Sequence, residues 1–314
     1  MDFIVFDLEW NQCPYGKNRE VKNLPFEIIE IGAVKLNMER QVVDRFQRVI
    51  RPSVYPRLHY RTREIVHLNQ HTLRKGMPFP DAIREFLAWA GPEANFCTWG
   101  TIDLVELQRN MKYYGLLHLL KGPLHFFDVQ KLFAIQYESM KLKRSLEYGI
   151  DFLHLQKSHE FHRALSDAIY TAEIFMRIDP DVILAYDSID VYQNPKRKTD
   201  EIHMVYNGYS KFISQEFPSK EAAMNDPEVR TTCCCLCGKS SRKKIRWFSV
   251  NSKNHYSMAI CPVHGYMKGK IRMKHTDEGM YYVVKTIKVS SAIEAEEIAR
   301  KKEEVRERRK KKRK

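Results

Sequence analysis

Phe3 to Phe6 is an unbroken apolar run that ends in Asp7-Leu8-Glu9-Trp10. Such a run predicts a strand covered on both faces. Asn11 to Leu24, with Pro14, Gly16 and several charges, is a loop. Phe26 to Val34 predicts a second strand and Gln41 to Ile50, which alternates loosely, a third. Short links make these three an antiparallel meander. The period then changes. Thr62 to Leu73 predicts a short helix, and Met77 to Gly91 a clearer one, with Ile83, Phe86, Leu87 and Ala90 at helical spacing. Gly91-Pro92 stops it. Asn95 to Trp99 reads as a strand, Ile102 to Tyr114 as a helix, Leu124 to Phe127 as a strand. Asp128 to Tyr137 is a helix opened by an acidic cap, and Ser145 to Leu153 and Phe161 to Ile178 are helices. The order strand-strand-strand-helix-strand-helix-strand-helix-helix predicts an α/β domain over residues 1–180, with a mixed five-stranded sheet flanked by helices.

Asp179-Pro180 closes that pattern. Residues 181–230 read as a connecting region, broken at Asn194-Pro195-Lys196-Arg197-Lys198; no element is assigned to Leu184 to Tyr192. Residues 231–290 read as a small β module around a cysteine cluster, and residues 291–314 as a charged helical or frayed tail. There is no run of 18 apolar residues, so no membrane span is expected. The N-terminus enters a strand directly, which predicts an unprocessed cytoplasmic chain.

Two carboxylates at positions i and i+2 of a strand share one side. Asp7 and Glu9 therefore repel each other unless a cation lies between them, and a hard ion such as Mg²⁺ suits their oxygens. A solvated pair of loop acids gives the same Asp-x-Glu spacing, so the rest of the chain must supply partners. Asp103 follows Trp99-Gly100-Thr101-Ile102, where a strand gives way to a helix. His162 and Asp167 open the helix predicted from Phe161, about 140° apart around its axis. Three Asp, one Glu and one His are the donor set for phosphodiester hydrolysis with two ions roughly 3.5–4 Å apart. The imidazole, titrating near neutrality, suits removal of a proton from the attacking water. No Gly-x-Ser-x-Gly elbow or Walker loop offers another chemistry.

Phe6-Asp7-Leu8-Glu9, Glu27-Ile28-Ile29-Glu30-Ile31-Gly32-Ala33-Val34, Trp99-Gly100-x-x-Asp103 and His162-x4-Asp167 resemble, in that order, the DEDDh 3′–5′ exonucleases. These are the DnaQ-like, RNase T-like group with an RNase H-like fold. The resemblance covers residues 1–178 and looks nearest to the KapD-like branch and its RNA-trimming eukaryotic relatives. It implies two Mg²⁺ or Mn²⁺ ions. Asp7 would bridge both, Glu9 and Asp167 would complete the site of the ion holding the attacking water, Asp103 would hold the second, and His162 would be the general base. It also implies a substrate with a free 3′ end in single-stranded RNA or DNA, RNA favoured, and 5′-mononucleotide products. Many relatives carry Thr two residues after the Glu, where this chain has Asn11. Leu8, Trp10, Asn11 and Trp99 are therefore the candidates for substrate contact, with Trp99 also suited to core packing. Glu27 and Glu30 read as solvated strand-edge acids, with a place beside the metals as the alternative. His59, His67 and His71 read as surface or strand-contacting residues. The rival reading is a nucleic-acid-binding adaptor with a vestigial nuclease domain.

The seven cysteines are odd in number and five crowd near the C-terminus, which argues against a disulfide framework. Cys234-x2-Cys237 is followed, after 23 intervening residues, by Cys261-x2-His264. Two such pairs suit tetrahedral Zn²⁺ in a zinc-ribbon-like module. Gly238 and Gly265 suit the knuckle turns, while Cys233 or Cys235 could replace Cys234. The formal charge is +14, and the last fifteen residues carry +8 of it. Lys243, Lys244, Arg246, Lys268, Lys270 and Arg272 are interleaved with Trp247, Tyr256 and Tyr266, the combination that grips single-stranded nucleic acid. The tail reads as a polyanion arm, for substrate or for a ribonucleoprotein.

Overall fold

The computed structural model describes residues 2–139 and 142–311. It divides into two compact units, Met1–Gln193 and Asn194–Lys314, and each is described by itself.

Unit 1 is built on a six-stranded sheet: β1 (Asp2–Gln12), β2 (Phe26–Leu36), β3 (Val42–Val49), β4 (Ala94–Thr98), β5 (Leu124–Asp128) and β6 (Ser188–Asp190). Its spatial order is β3-β2-β1-β4-β5-β6. The meander over β1, β2 and β3 is antiparallel, β1, β4 and β5 run parallel, and β6 returns antiparallel along β5. Five of these strands were expected from the apolar pattern. β6 falls in the stretch left unassigned; only three residues long, it shows no alternation to detect. The helices are α1 (Tyr60–Ile65), α2 (Gln70–Arg74), α3 (Phe79–Ala90), α4 (Ile102–Tyr113), α5 (Val129–Tyr137), α6 (Leu146–Phe152), α7 (Ala164–Phe175) and α8 (Pro180–Ala185). Asp128 caps α5 by accepting the Lys131 N–H at 3.0 Å.

β1 is the hub. Ile4, Phe6 and Leu8 pack on one face with α3 and α4. Phe3 and Val5 pack on the other with α5, α7 and α8. Ile4, Val5 and Phe6 are fully buried, and each such side chain stabilises the fold by about 1.5–3 kcal/mol. Strand alternation then aims Asp7 toward the α7 side.

Unit 2 is not a small ribbon alone. Strands β7 (Ile202–Tyr206), β8 (Tyr209–Ile213), β9 (Arg242–Ser249), β10 (Asn254–Cys261), β11 (Gly265–His275) and β12 (Tyr281–Val289) form one antiparallel sheet ordered β7-β8-β12-β11-β10-β9. Short helices α9 (Lys220–Asn225) and α10 (Pro227–Arg230) precede β9, and α11 (Ala292–Lys311) ends the described chain. The connecting region expected over 181–230 is therefore structured: its first part completes unit 1 and its second supplies two strands and two helices of unit 2. On β11, Met267, Gly269, Ile271 and Met273 alternate with Lys268, Lys270, Arg272 and Lys274. The apolar set is buried. Across the other face lies α11, whose Ala295 and Ile298 pack on Ile245 and Met258. That sparse apolar stripe keeps the helix in place where composition alone read as frayed. The last three tail residues, 312–314, lie outside the described residues.

Candidate active site and metal centre

Strand β1 runs through the motif itself, with Asp7 opposite Gly32 and Glu9 opposite Glu30 on β2, and a bulge between Glu9 and Trp10. Bulges re-aim side chains. Asp103 enters from the first turn of α4 and Asp167 from the first turn of α7. The structure brings all four carboxylates together. Burial raises the Asp7 carboxyl well above the ordinary carboxylate range, and the charges of Asp103, Asp167, Glu9 and Glu30 push the same way. Burial, then Asp167, Glu30 and Asp103, lift Glu9 to about 8, against the opposing charge of Arg163. Asp103 reaches about 7, mainly through burial, although it accepts N–H bonds from its own backbone and from Leu8. Asp167 is raised to about 6, again by burial, while the His162 N–H lowers it.

His162 does not sit on a helix. α7 begins at Ala164, and His162 lies just before it with φ of 62°. A left-handed non-glycine residue costs about 1 kcal/mol or more and persists only where its surroundings hold it. Here its N–H donates to Asp167 Oδ2 at 3.2 Å. Its exposed ring shares one cluster with Glu9 and Asp167, whose ligand atoms all lie within 4.8 Å of one another. Asp167 Oδ1 is buried and has no hydrogen-bond partner. An orphaned carboxylate oxygen beside three mutually repelling acids is the condition a hard divalent cation relieves, and the donors are all oxygen. The residues fit such ions.

Residues 4–175 match the RNase_T exonuclease family. The chain belongs to that family. The exonuclease is 29% identical over 182 residues to the probable 3′-5′ exonuclease KapD of Bacillus subtilis (strain 168), covering 57% of this chain and 84% of that protein. It is 25% identical over 177 residues to the PolC-type DNA polymerase III of Caldanaerobacter subterraneus subsp. tengcongensis, covering 56% of this chain but only 11% of the polymerase. Among solved structures, the nuclease domain of 3′hExo, a DEDDh family member bound to rAMP, superposes with a TM-score of 0.51 at 19% identity, covering 60% of this chain and 96% of that one. The fold of unit 1 is thus RNase H-like, and the protein is a 3′–5′ exonuclease, a hydrolase of a family that uses divalent metals.

The exonuclease also contains a brace that the sequence did not reveal. Glu30 is fully buried, not a solvated edge acid. It accepts from Arg163 Nη2 at 2.8 Å, Arg163 Nε at 3.1 Å, the Ala164 N–H at 3.2 Å and Gln47 Nε2 at 2.8 Å. This clamp fixes the start of α7, and with it His162 and Asp167. Gly32 completes the seat: a Cβ there would lie 2.0 Å from the Leu165 backbone nitrogen. Only glycine lets α7 approach β2 so closely. The available signal was a Glu inside an otherwise apolar strand, two residues before a Gly. Glu27 is buried as well and accepts the backbone N–H groups of Ser53, Val54 and Tyr55 at 2.6–2.9 Å.

Of the four substrate-contact candidates, Asn11 is a correction. It is fully buried, donates to Tyr55 O at 2.9 Å and Arg57 O at 2.8 Å, and accepts from the His59 N–H at 2.9 Å. Its amide is spent on anchoring the 55–59 loop. The Leu8 side chain is buried, and its backbone N–H serves Asp103. Trp10 is half-buried against Phe26, with ring centroids 5.7 Å apart. Trp99 is half-buried beside Phe133, its Nε1 donating to Arg144 O at 3.0 Å. His59 caps α1 and lies 4.5 Å from the exposed Tyr60 ring; neither His67 nor His71 joins the acid cluster.

In unit 2, Cys234, Cys237, Cys261 and His264 gather with their ligand atoms within 4.8 Å of one another. Cys234 Sγ is 3.5 Å from His264 Nδ1, Cys261 Sγ is 3.7 Å from the same nitrogen, and Cys237 Sγ is 3.8 Å from Cys261 Sγ. Gly238 and Gly265 follow the two pairs with φ of 70° and 74°, the left-handed turns a knuckle needs. The choice among the three adjacent cysteines falls to Cys234. Cys233 is exposed, and Cys235 is buried against Gly208 O and Met267. The Cys261 thiol is drawn down to about 6, by N–H groups of His264 and Val263 that overcome its burial, so it is ready to ligate as thiolate.

Proposed function

We propose that this exonuclease hydrolyses the terminal phosphodiester bond at the free 3′ end of single-stranded nucleic acid, RNA favoured over DNA, releasing 5′-mononucleotides. Asp7, Glu9, Asp103 and Asp167 would hold two Mg²⁺ or Mn²⁺ ions. When bound, the ions supply charge stabilisation for the attacking and leaving oxygens. Asp7, pushed upward by the charges of all three other acids, would serve both ions, and Asp167 would offer its orphaned Oδ1. His162, held at the cluster by its own backbone bond to Asp167, accepts the proton of the attacking water at a ring nitrogen. The observation that carries the reading is the convergence of four acids from three separate chain segments, raised together by burial and by one another.

The test is digestion of matched 3′-labelled and 5′-labelled RNA and DNA oligomers, with Mg²⁺, with chelator, and with Asp7→Ala. Laddering from the 3′ end only with metal and wild-type protein is expected, faster on RNA. No shortening in any metal would leave the adaptor reading. In unit 2, Cys234, Cys237, Cys261 and His264 would hold one structural Zn²⁺, a closed set of protein ligands that leaves no open position.

A further inference from the structure

The basic-aromatic surface of unit 2 invites comparison with single-strand binders, which stack bases on open ring faces. Its rings are already taken. Tyr256 carries Lys301 Nζ 4.7 Å from its centroid and Lys270 Nζ at 6.0 Å, and packs beneath α11. Tyr266 carries Lys244, which also donates to its hydroxyl at 2.9 Å. The Trp247 ring lies against Gly269, and its Nε1 donates to Arg230 O at 3.0 Å. Among the described residues, every large apolar side chain exposed in unit 2 is aliphatic.

The cations are in the opposite situation. Lys270 and Arg272 stand on the α11 face of β11, and Lys301 on α11 meets the same Tyr256. Arg272 is exposed, as are Arg242 and Arg246 on edge strand β9. Glu294, at the start of α11, is paired with Lys268 and Lys288 at 3.1 Å each. Two ammonium groups over one ring repel each other, a cost that a polyanion would lower.

We propose that unit 2 grips the phosphates of a double-helical stretch of nucleic acid through Lys270, Arg272 and Lys301, without reading bases. A duplex stacks its bases inward and presents mainly phosphate and sugar along its outside, the chemistry that cations without exposed Phe, Tyr or Trp rings can meet. The grip belongs to unit 2 alone and is tested apart from hydrolysis.

Binding is measured on the full-length Asp7→Ala chain, so that the probe stays intact. The probes are a blunt-ended RNA hairpin, an oligouridine with the same number of phosphates, and polyglutamate. The hairpin is expected to bind at least as tightly as oligouridine and much more tightly than polyglutamate. Lys270→Gln, Arg272→Gln and Lys301→Gln combined should weaken hairpin binding about tenfold or more at roughly 0.1 M salt and flatten the salt dependence by about one unit per cation. Lys301→Arg alone, which keeps the charge over Tyr256, should bind as before, and unchanged zinc content shows that the sheet is intact. Cleavage of a trinucleotide, assayed with Asp7 restored, should be unaffected by the three substitutions. Oligouridine binding tenfold tighter than hairpin, polyglutamate binding as well as hairpin, or a triple variant that binds hairpin like its parent each overturns the proposal.

Discussion

The two clusters, one in each unit, handle charge in opposite ways. Unit 2 gathers three thiols and an imidazole on two knuckles, four donors within 4.8 Å, a complete set for one soft-accepting ion. Unit 1 gathers four acids, leaves a buried oxygen without a partner, and keeps His162 exposed beside them. The closed set is an arrangement for stability; the acid set is one that stability alone would disfavour. On the proposed reading, the contrast separates a metal that would be part of the fold from metals that would be part of the chemistry.

The sharpest way to break this contrast is to remove one ligand from each cluster. A structural zinc site contributes about 10 kcal/mol or more of apparent binding energy, which is also folding energy. Cys237→Ser should therefore lower zinc content from about one per chain and unfold unit 2, seen as a new low-temperature transition in calorimetry. Hydrolysis of short single strands by unit 1 should persist. If unit 2 stays folded without metal, the thiol cluster is not a structural centre.

Asp7→Ala should do the reverse. Losing a carboxylate proposed to hold the ions should remove several kcal/mol of charge stabilisation, about a thousandfold in kcat/KM. The metal-free chain should melt no lower than wild type, because one repelling acid is gone. A variant that loses stability in step with activity would mean that Asp7 is a packing residue.

The same acids predict opposite pH responses with and without divalent ions. Burial and neighbouring acids raise Glu9 from the ordinary glutamate value of 4.5 to about 8. A raised carboxyl binds its proton more tightly in the folded chain than in the unfolded one. Its contribution is complete below the unfolded value and is lost as pH climbs toward the folded value. Chelated protein should therefore lose stability from about pH 4.5 to 8. Saturating Mg²⁺ should cancel that loss, because the ions bind the deprotonated acids. At limiting Mg²⁺, activity should climb from pH 6 to 8, the span in which Asp167, Asp103 and Glu9 give up their protons. Urea melts across this range, with and without Mg²⁺, separate the two slopes.

How much of this was legible in the sequence follows from the range of the signals. Asp7-x-Glu9, Trp99-Gly100-x-x-Asp103 and His162-x4-Asp167 each end or begin an element whose apolar period is local, so motif and scaffold could be read together. The knuckles were legible for the same reason: each pair and its Gly lie within a few residues. What escaped depends on partners far away in the chain. Glu30 looked like an edge acid because Arg163 is 133 residues away. Asn11 looked available because the backbone groups it holds are those of residues 55–59. The helical placement of His162 failed because the Glu30 clamp, not local propensity, decides where α7 begins. β6 was missed because three residues carry no period, and α11 was read as frayed because three small or branched apolar residues are a thin stripe.

That clamp gives a smaller and more selective effect. Glu30→Gln keeps shape and some hydrogen bonding but removes the charge that faces Arg163. A loss of about 2 kcal/mol in stability and roughly a tenfold fall in kcat are expected, because His162 and Asp167 are placed less well. KM for a short strand should change little. Since Glu30 also raises Glu9 and Asp167, the climb in activity with pH should shift to lower pH. A purely structural Glu30 would lower stability without moving that profile.

Asn11→Ala separates anchoring from substrate contact at the smallest scale. Three hydrogen bonds to the 55–59 backbone disappear, and the buried Tyr55 carbonyl and the partly buried Arg57 carbonyl lose a donor, which costs about 2 kcal/mol. The loop that carries His59 and Tyr60 loosens, while Glu9, two residues before Asn11, keeps its pairing with β2. Melting temperature should fall by several degrees, with kcat on a dinucleotide nearly unchanged. The discriminating comparison is substrate length. A contact between Asn11 and the terminal nucleotide would raise KM equally for dinucleotides and longer strands. An anchor for the Tyr60 loop would spare dinucleotides and weaken only strands long enough to reach that exposed ring.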